Sequence, residues 1–183
     1  PETELLVEKV LELPNSKLSL IDLGTGSGCI AISIARERPN FEVFASDISN
    51  DALKVAKTNS NFYKTTITFI KSDWFAKIDR KCDVIIANPP YISKKEYNNL
   101  SLCIRRFEPK IALLAGSKGL DSFRVIINQF FKYLRPNGML ILEIGSTQRK
   151  IIEKIFHYNG YSKIEFFNDL SRKCRVVCVK KDA

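Results

Sequence analysis

Little in this 183-residue sequence serves metal or redox chemistry: it has one histidine (His157), one methionine and one tryptophan. Its five cysteines (Cys29, Cys82, Cys103, Cys174 and Cys178) form no Cys-x-x-Cys pair. With a single histidine they offer no zinc ligand set. They read as reduced, mostly packed thiols of a cytoplasmic protein. No apolar run approaches the roughly 20 residues a membrane-spanning helix requires, so no membrane partner is expected. The start, Pro1-Glu2-Thr3-Glu4, lacks the basic and apolar regions of a secretory signal and also an initiator methionine, which points to a chain cut from something longer. Internal repeats, low-complexity tracts and blocks of five like charges are absent too, so one domain is expected over 1–183.

What is present is an ordinary globular composition, 45% hydrophobic and 27% charged. There are 29 Lys and Arg against 20 Asp and Glu, a formal charge of +9. Such an excess favours phosphates or an acidic partner surface. Because the charges are dispersed, a solvated face that serves only solubility accounts for it equally well.

Apolar spacing predicts helices over 5–13, 29–38, 50–62, 121–134 and 147–158. Strands are expected over 18–23, 41–45, 67–71, 82–87 and 139–144, with a terminal pair over 161–167 and 174–180. Pro136-Asn137-Gly138 reads as the turn that stops one helix and starts the next strand. This alternation implies a mostly parallel sheet covered on both faces, with an antiparallel pair at one edge. Residues 88–120 read as irregular. A stretch of that length inside a compact domain is usually functional.

The glycine-rich run Asp22-Leu23-Gly24-Thr25-Gly26-Ser27-Gly28 joins the first strand to its helix. Gly24, Thr25, Gly26, Ser27 and Gly28 are the residues expected at a cofactor, since glycine backbone can approach a ligand closely at a helix N-terminus. The third glycine falls two positions after the second rather than three, which counts against a nicotinamide dinucleotide. Asp47, with Ile48 beside it, closes the second strand, where a carboxylate can accept hydrogen bonds from ribose hydroxyls. Capping of the helix near Asn50 is the alternative reading. Asp73 and Trp74 after the third strand suit an adenine amino group and ring, or Trp74 is core filler.

The fourth strand runs into Asn88-Pro89-Pro90-Tyr91. Prolines cannot donate backbone hydrogen bonds, so this segment presents acceptors: the Asn88 amide oxygen and the Pro89 carbonyl. Two acceptors can orient the two protons of an –NH₂ group and stabilise positive charge developing on its nitrogen. Tyr91 can pack on a flat substrate group. A rigid proline turn is the plainer alternative.

With these residues in view, the chain resembles class I methyltransferases of the Asn-Pro-Pro-Tyr type. Within them it resembles the protein-(glutamine-N5) methyltransferases of peptide chain release factors, the HemK/PrmC family. Ser46-Asp47-Ile48-Ser49 belongs to the likeness, and Glu2-Thr3-Glu4, Glu108-Pro109 and Glu143-Ile144-Gly145 narrow it to this family. The resemblance implies a Rossmann-like seven-stranded sheet of order 3-2-1-4-5-7-6. It implies S-adenosylmethionine as methyl donor, with S-adenosylhomocysteine as product. Gly24 to Gly28, Asp47, Trp74 and Asn88 would contact that cofactor. Asn88, Pro89, Pro90 and Tyr91 would hold the glutamine of a release factor's Gly-Gly-Gln loop, and Glu2 and Thr3 would close over it. It also implies an N-terminal helical domain outside this chain. Direct nucleic-acid binding is compatible with the charge but not required. Two other readings stand beside this one: an amino-methyltransferase acting on adenine or guanine, and a silent module that keeps only the cofactor fold.

Overall fold

The computed structural model describes residues 3–182. Seven strands form one sheet in the order β3-β2-β1-β4-β5-β7-β6, the order implied by the family likeness. The strands are β1 (Ser19–Leu23), β2 (Glu42–Asp47), β3 (Ile67–Lys71), β4 (Cys82–Ala87), β5 (Leu134–Glu143), β6 (Ile164–Asn168) and β7 (Cys174–Lys180). β1 to β5 pair in parallel, whereas β7 runs antiparallel to both β5 and β6.

Alternate residues of the central strands face opposite sides of the sheet, and each side has its own core. Ile21, Leu23, Ile85 and Ala87 pack with Phe123, Ile126, Phe130, Ile152 and Phe156 from α7 (Asp121–Tyr133) and α8 (Arg149–Tyr158). Leu20, Val43, Val84 and Ile86 pack with Leu6 and Val10 of α1 (Glu4–Leu11) and Ile30 and Ile34 of α2 (Cys29–Glu37). A strand buried on both faces is apolar along most of its length, which is why β1 and β4 read as nearly continuous runs. α3 (Asn50–Phe62) crosses between β2 and β3 with Leu53 and Ala56 buried. Three cysteines are buried, and burial pushes the Cys82 thiol up to about 11 and the Cys178 thiol to about 12. Cys29 and Cys103 are exposed.

Two expectations are corrected. Residues 88–120 contain three short helices: α4 (Lys94–Asn99), α5 (Leu102–Phe107) and α6 (Lys110–Leu113). They are too short to show a period, and the first two are held instead by their ends. Ser93 and Glu96 form a reciprocal capping box, and the Ser101 hydroxyl accepts from the Ile104 amide. The second correction concerns Pro136-Asn137-Gly138, which lies inside β5 rather than before it. The pairing with β4 slips there, from Cys82 opposite Leu134 to Val84 opposite Met139. Asn137 takes a positive φ of 62° at this irregularity.

At the amino end of the sheet one carboxylate joins three strands. Asp83 Oδ2 accepts from the Ser19 amide and hydroxyl, both at 2.7 Å, and from the Arg135 guanidinium at 2.9 Å. Burial alone would raise the Asp83 carboxyl, but the Ser19 hydrogen bonds and the Arg135 charge outweigh it and hold it below the usual range. A depressed carboxylate stabilises the fold above its unfolded pKa and loses that contribution as pH falls. Asp83→Ala is therefore expected to destabilise the chain at pH 7 by about 1–3 kcal/mol in urea unfolding. The gap between variant and wild type should narrow in acid; a gap independent of pH would contradict this account.

Candidate active site

Every residue with an assigned chemical role among 3–182 lies at or just beyond the carboxyl end of β1 to β5, on either side of the point where strand order reverses between β1 and β4. Open α/β sheets bind ligands in the crevice formed there. Gly28, with φ 84°, caps α2. The Gly26 amide donates to Asp47 Oδ2 at 2.9 Å, and the Thr25 amide donates to the Ser46 carbonyl at 2.9 Å. These amides hold the loop to β2 rather than facing a ligand. The Ser27 carbonyl accepts from the Asn59 side chain at 2.9 Å. A Cβ on Gly26 would find no atom within 4 Å, so the crest of the loop is open.

Asp47 does not cap α3; Ser49 does, its hydroxyl accepting from the Ala52 amide at 3.2 Å. Asp47 Oδ1 instead accepts from the Ser49 amide at 2.8 Å, so the carboxylate ties the first and second loops together. Ile48 is 46% exposed, an apolar side chain presented at the crevice edge. Trp74 has φ 46° and is half-buried against the core, with its ring beside Gly24. Its core-filling and loop-facing roles are thus not exclusive. Asp73 is exposed.

The Asn88-Pro89-Pro90-Tyr91 segment is braced from three sides. Gln148, just before α8, donates from Nε2 to the Tyr91 carbonyl at 3.0 Å and to the Gly119 carbonyl at 3.1 Å. Ile92 pairs with Leu114 in an isolated parallel bridge. Gly119, with φ 69°, lies so close that a Cβ there would fall 2.3 Å from the Tyr91 carbonyl oxygen. Thr3 reaches the same edge from the start of the chain: its hydroxyl donates to Glu143 Oε2 at 3.0 Å and accepts from Asn88 Nδ2 at 3.3 Å. Glu2, expected beside it, lies outside the described residues. Among the described residues no cluster could hold a metal ion.

Three residues given no role from sequence hold this edge together: Asp22, Glu143 and Gln148. Glu143 and Asp22 carry a legible signal, a carboxylate inside an otherwise apolar strand. Gln148 has none for its bonds to Tyr91 and Gly119, which are distant in sequence. Asp22 is fully buried, with its Oδ2 accepting from the Thr25 hydroxyl at 2.6 Å. Its Oδ1 has no hydrogen-bond partner among the described residues. Burial, opposed by the Thr25 hydroxyl and the Ala31 amide and helped slightly by the Asp47 charge, raises the Asp22 carboxyl to about 7.

The sheet order, the glycine loop and the acidic second-strand end together give the chain the class I Rossmann-like methyltransferase fold. The family model for the methyltransferase small domain matches residues 1–133, and the chain belongs to that family. The bifunctional methyltransferase of Rickettsia prowazekii is 44% identical over 168 residues, 90% of this chain and 32% of that protein. The release factor glutamine methyltransferase of Lactococcus lactis is 40% identical over 182 residues, 98% of this chain and 67% of that protein. The chain thus spans about a third of the Rickettsia relative's length. Among solved structures, a 16S rRNA N2 G1207 methyltransferase of T. thermophilus, in complex with AdoMet and guanosine, superposes with a TM-score of 0.69. It is 16% identical, and the match covers 99% of this chain and 43% of that one. At that identity the likeness is one of fold.

Asp22 carries the prediction from this geometry. A raised carboxyl contributes most stability below its unfolded pKa of 3.8, and the contribution is lost as pH rises to about 7. Asp22→Asn stays neutral throughout. Melting from pH 5 to 8 should show the wild type losing on the order of a few kcal/mol that the variant keeps. Parallel curves would mean that Asp22 is not charged at the cost of burial.

Proposed function

We propose that this chain transfers a methyl group from S-adenosylmethionine to the side-chain amide nitrogen of the glutamine in the Gly-Gly-Gln loop of peptide chain release factors. The observation that carries this reading is the placement of Asn88-Pro89-Pro90-Tyr91 beside the glycine loop, across the β1/β4 reversal. Relatives 37% to 41% identical that bear the name release factor glutamine methyltransferase support the choice of substrate. The cytoplasm, where release factors act, is the compartment that goes with it. No described helix is long and apolar enough to cross a membrane.

The residues present fit the cofactor. The open crest at Gly26 admits a ligand against backbone, and the Asp47 carboxylate retains a lone pair on each oxygen beyond those used by Gly26 and Ser49. In this reading Gly24, Thr25, Gly26, Ser27 and Gly28 line one side. Asp47 takes the ribose hydroxyls, and Ile48, Asp73 and Trp74 surround the adenine. When bound, the cofactor supplies an electrophilic methyl group on a sulfonium.

The chain's own contribution is orientation. Asn88 Oδ1 and the Pro89 carbonyl accept the two amide protons, which turns the nitrogen lone pair out of conjugation and toward the donor. The same two dipoles face the nitrogen as it becomes positive, and because they are already fixed they need no rearrangement during transfer. Tyr91 packs on the planar amide. The proton leaves to solvent after transfer, so no strong base is required. Beyond this edge, Leu102, Phe107 and Ile111 are 77%, 74% and 60% exposed among Arg105, Arg106 and Lys110. An apolar and basic surface of this kind supports a macromolecular substrate over free glutamine.

Incubation with methyl-labelled cofactor and either release factor or bulk RNA tests the reading. Label is expected in the release factor; label in RNA alone would instead assign a base amino-methyltransferase. Asn88→Ala should lower turnover by roughly 10²–10³-fold while calorimetric affinity for S-adenosylhomocysteine changes little. Equal losses in both would make Asn88 chiefly a cofactor residue.

A further inference from the structure

Three side chains form a directional chain of hydrogen bonds at the substrate edge. Ala87, the last residue of β4, pairs with Leu142 of β5, so Asn88, just beyond β4, and Glu143, the last residue of β5, come next along neighbouring strands. Thr3, 85 residues from one and 140 from the other, places its hydroxyl between them. Oγ1 donates to Glu143 Oε2 at 3.0 Å and accepts from Asn88 Nδ2 at 3.3 Å. Glu143 is only 3% exposed, so water does not compete freely for its oxygens.

A hydroxyl carries one proton, and a carboxylate can only accept. Once that proton points at Glu143, Thr3 has lone pairs alone to offer Asn88. The NH₂ half of the Asn88 amide must then face Thr3, and Oδ1 must face the opposite way. The two halves of an asparagine amide are nearly the same size, so sterics alone do not choose between the two flips. A flipped Asn88 would set oxygen against oxygen at Thr3 and present a donor to the substrate's –NH₂, where an acceptor is needed.

We infer that Thr3 and Glu143 are positioning residues that lock the Asn88 amide in the one orientation able to accept a proton from the substrate nitrogen. This rests on the methyl-transfer reading above for its consequence, but the lock itself is a property of the chain without substrate. It gives Thr3 a function that ordinary closure over the site would not require. A valine, equal in shape and lacking the hydroxyl, would close equally well.

The test compares Thr3→Val and Thr3→Ser in the same chain. Side-chain amide resonances of the ¹⁵N-labelled protein are recorded without substrate, with the Asn88 pair assigned by its loss in Asn88→Ala. In Thr3→Val the Asn88 pair should shift and exchange faster with solvent, and in Thr3→Ser it should return toward its wild-type position. With release factor as substrate, Thr3→Val should lose roughly tenfold to a hundredfold in kcat, with KM and S-adenosylhomocysteine affinity near wild type. Thr3→Ser should recover most of that loss. An unmoved Asn88 pair in Thr3→Val would overturn the lock. A shifted pair with unchanged kcat, or equal defects in Thr3→Val and Thr3→Ser, would overturn the positioning role. Absence of methyl transfer by the wild type would sink the methylation reading and the positioning role with it, whereas the resonances would still decide the lock.

Discussion

The parallel pairing of β1 with β4 sets where every other loop falls. Strand order runs outward in one direction from β1 and in the other from β4, so the chain leaves these two strands on opposite sides of a common crevice. The glycine loop opens one side, and Asn88-Pro89-Pro90-Tyr91 opens the other. The Asp83 carboxylate fastens the same strand pair at its far end by gripping Ser19. A slip of one residue would exchange a strand's side chains between the two cores. Register and site geometry are therefore one constraint.

Around this crevice the chain uses polar groups more for holding itself than for meeting solvent. Asp47 bridges the loops after β1 and β2, Gln148 braces the loop after β4, and Thr3 joins Asn88 to Glu143. All but the local Asp47–Ser49 bond join segments distant in sequence. Asp22 is the costly member of the set, a carboxyl buried beneath the glycine loop with one oxygen unpaired among the described residues. Preorganisation of this kind is what oriented acceptors need, since their benefit depends on not having to move during the reaction.

Much of this was legible in the amino-acid order, and the reasons differ by segment. α3, β3 and β4 match their expected bounds because strong periodicity or a continuous apolar run ends at a clear polar boundary. The glycine loop and the Asn-Pro-Pro-Tyr segment announce themselves by residue types that few other environments tolerate. The short helices of 94–113 were not legible from periodicity, although Ser93 and Glu96 held the capping signal. β5 begins at Leu134, before the expected 139, because the strand absorbs Pro136 and Gly138, which read as a turn, as an irregularity. The links from Thr3 to Glu143 and from Gln148 to Tyr91 had no local signature, since they exist only once the sheet has brought the strand ends together.

In the proposed reading, the edge beyond β4 presents two fixed acceptors to one planar amide nitrogen. A crystal structure of the chain with S-adenosylhomocysteine and a Gly-Gly-Gln peptide tests it most directly. The glutamine nitrogen is expected within hydrogen-bond distance of both Asn88 Oδ1 and the Pro89 carbonyl. A glutamine bound elsewhere, or one meeting Nδ2 of a flipped Asn88, would contradict it.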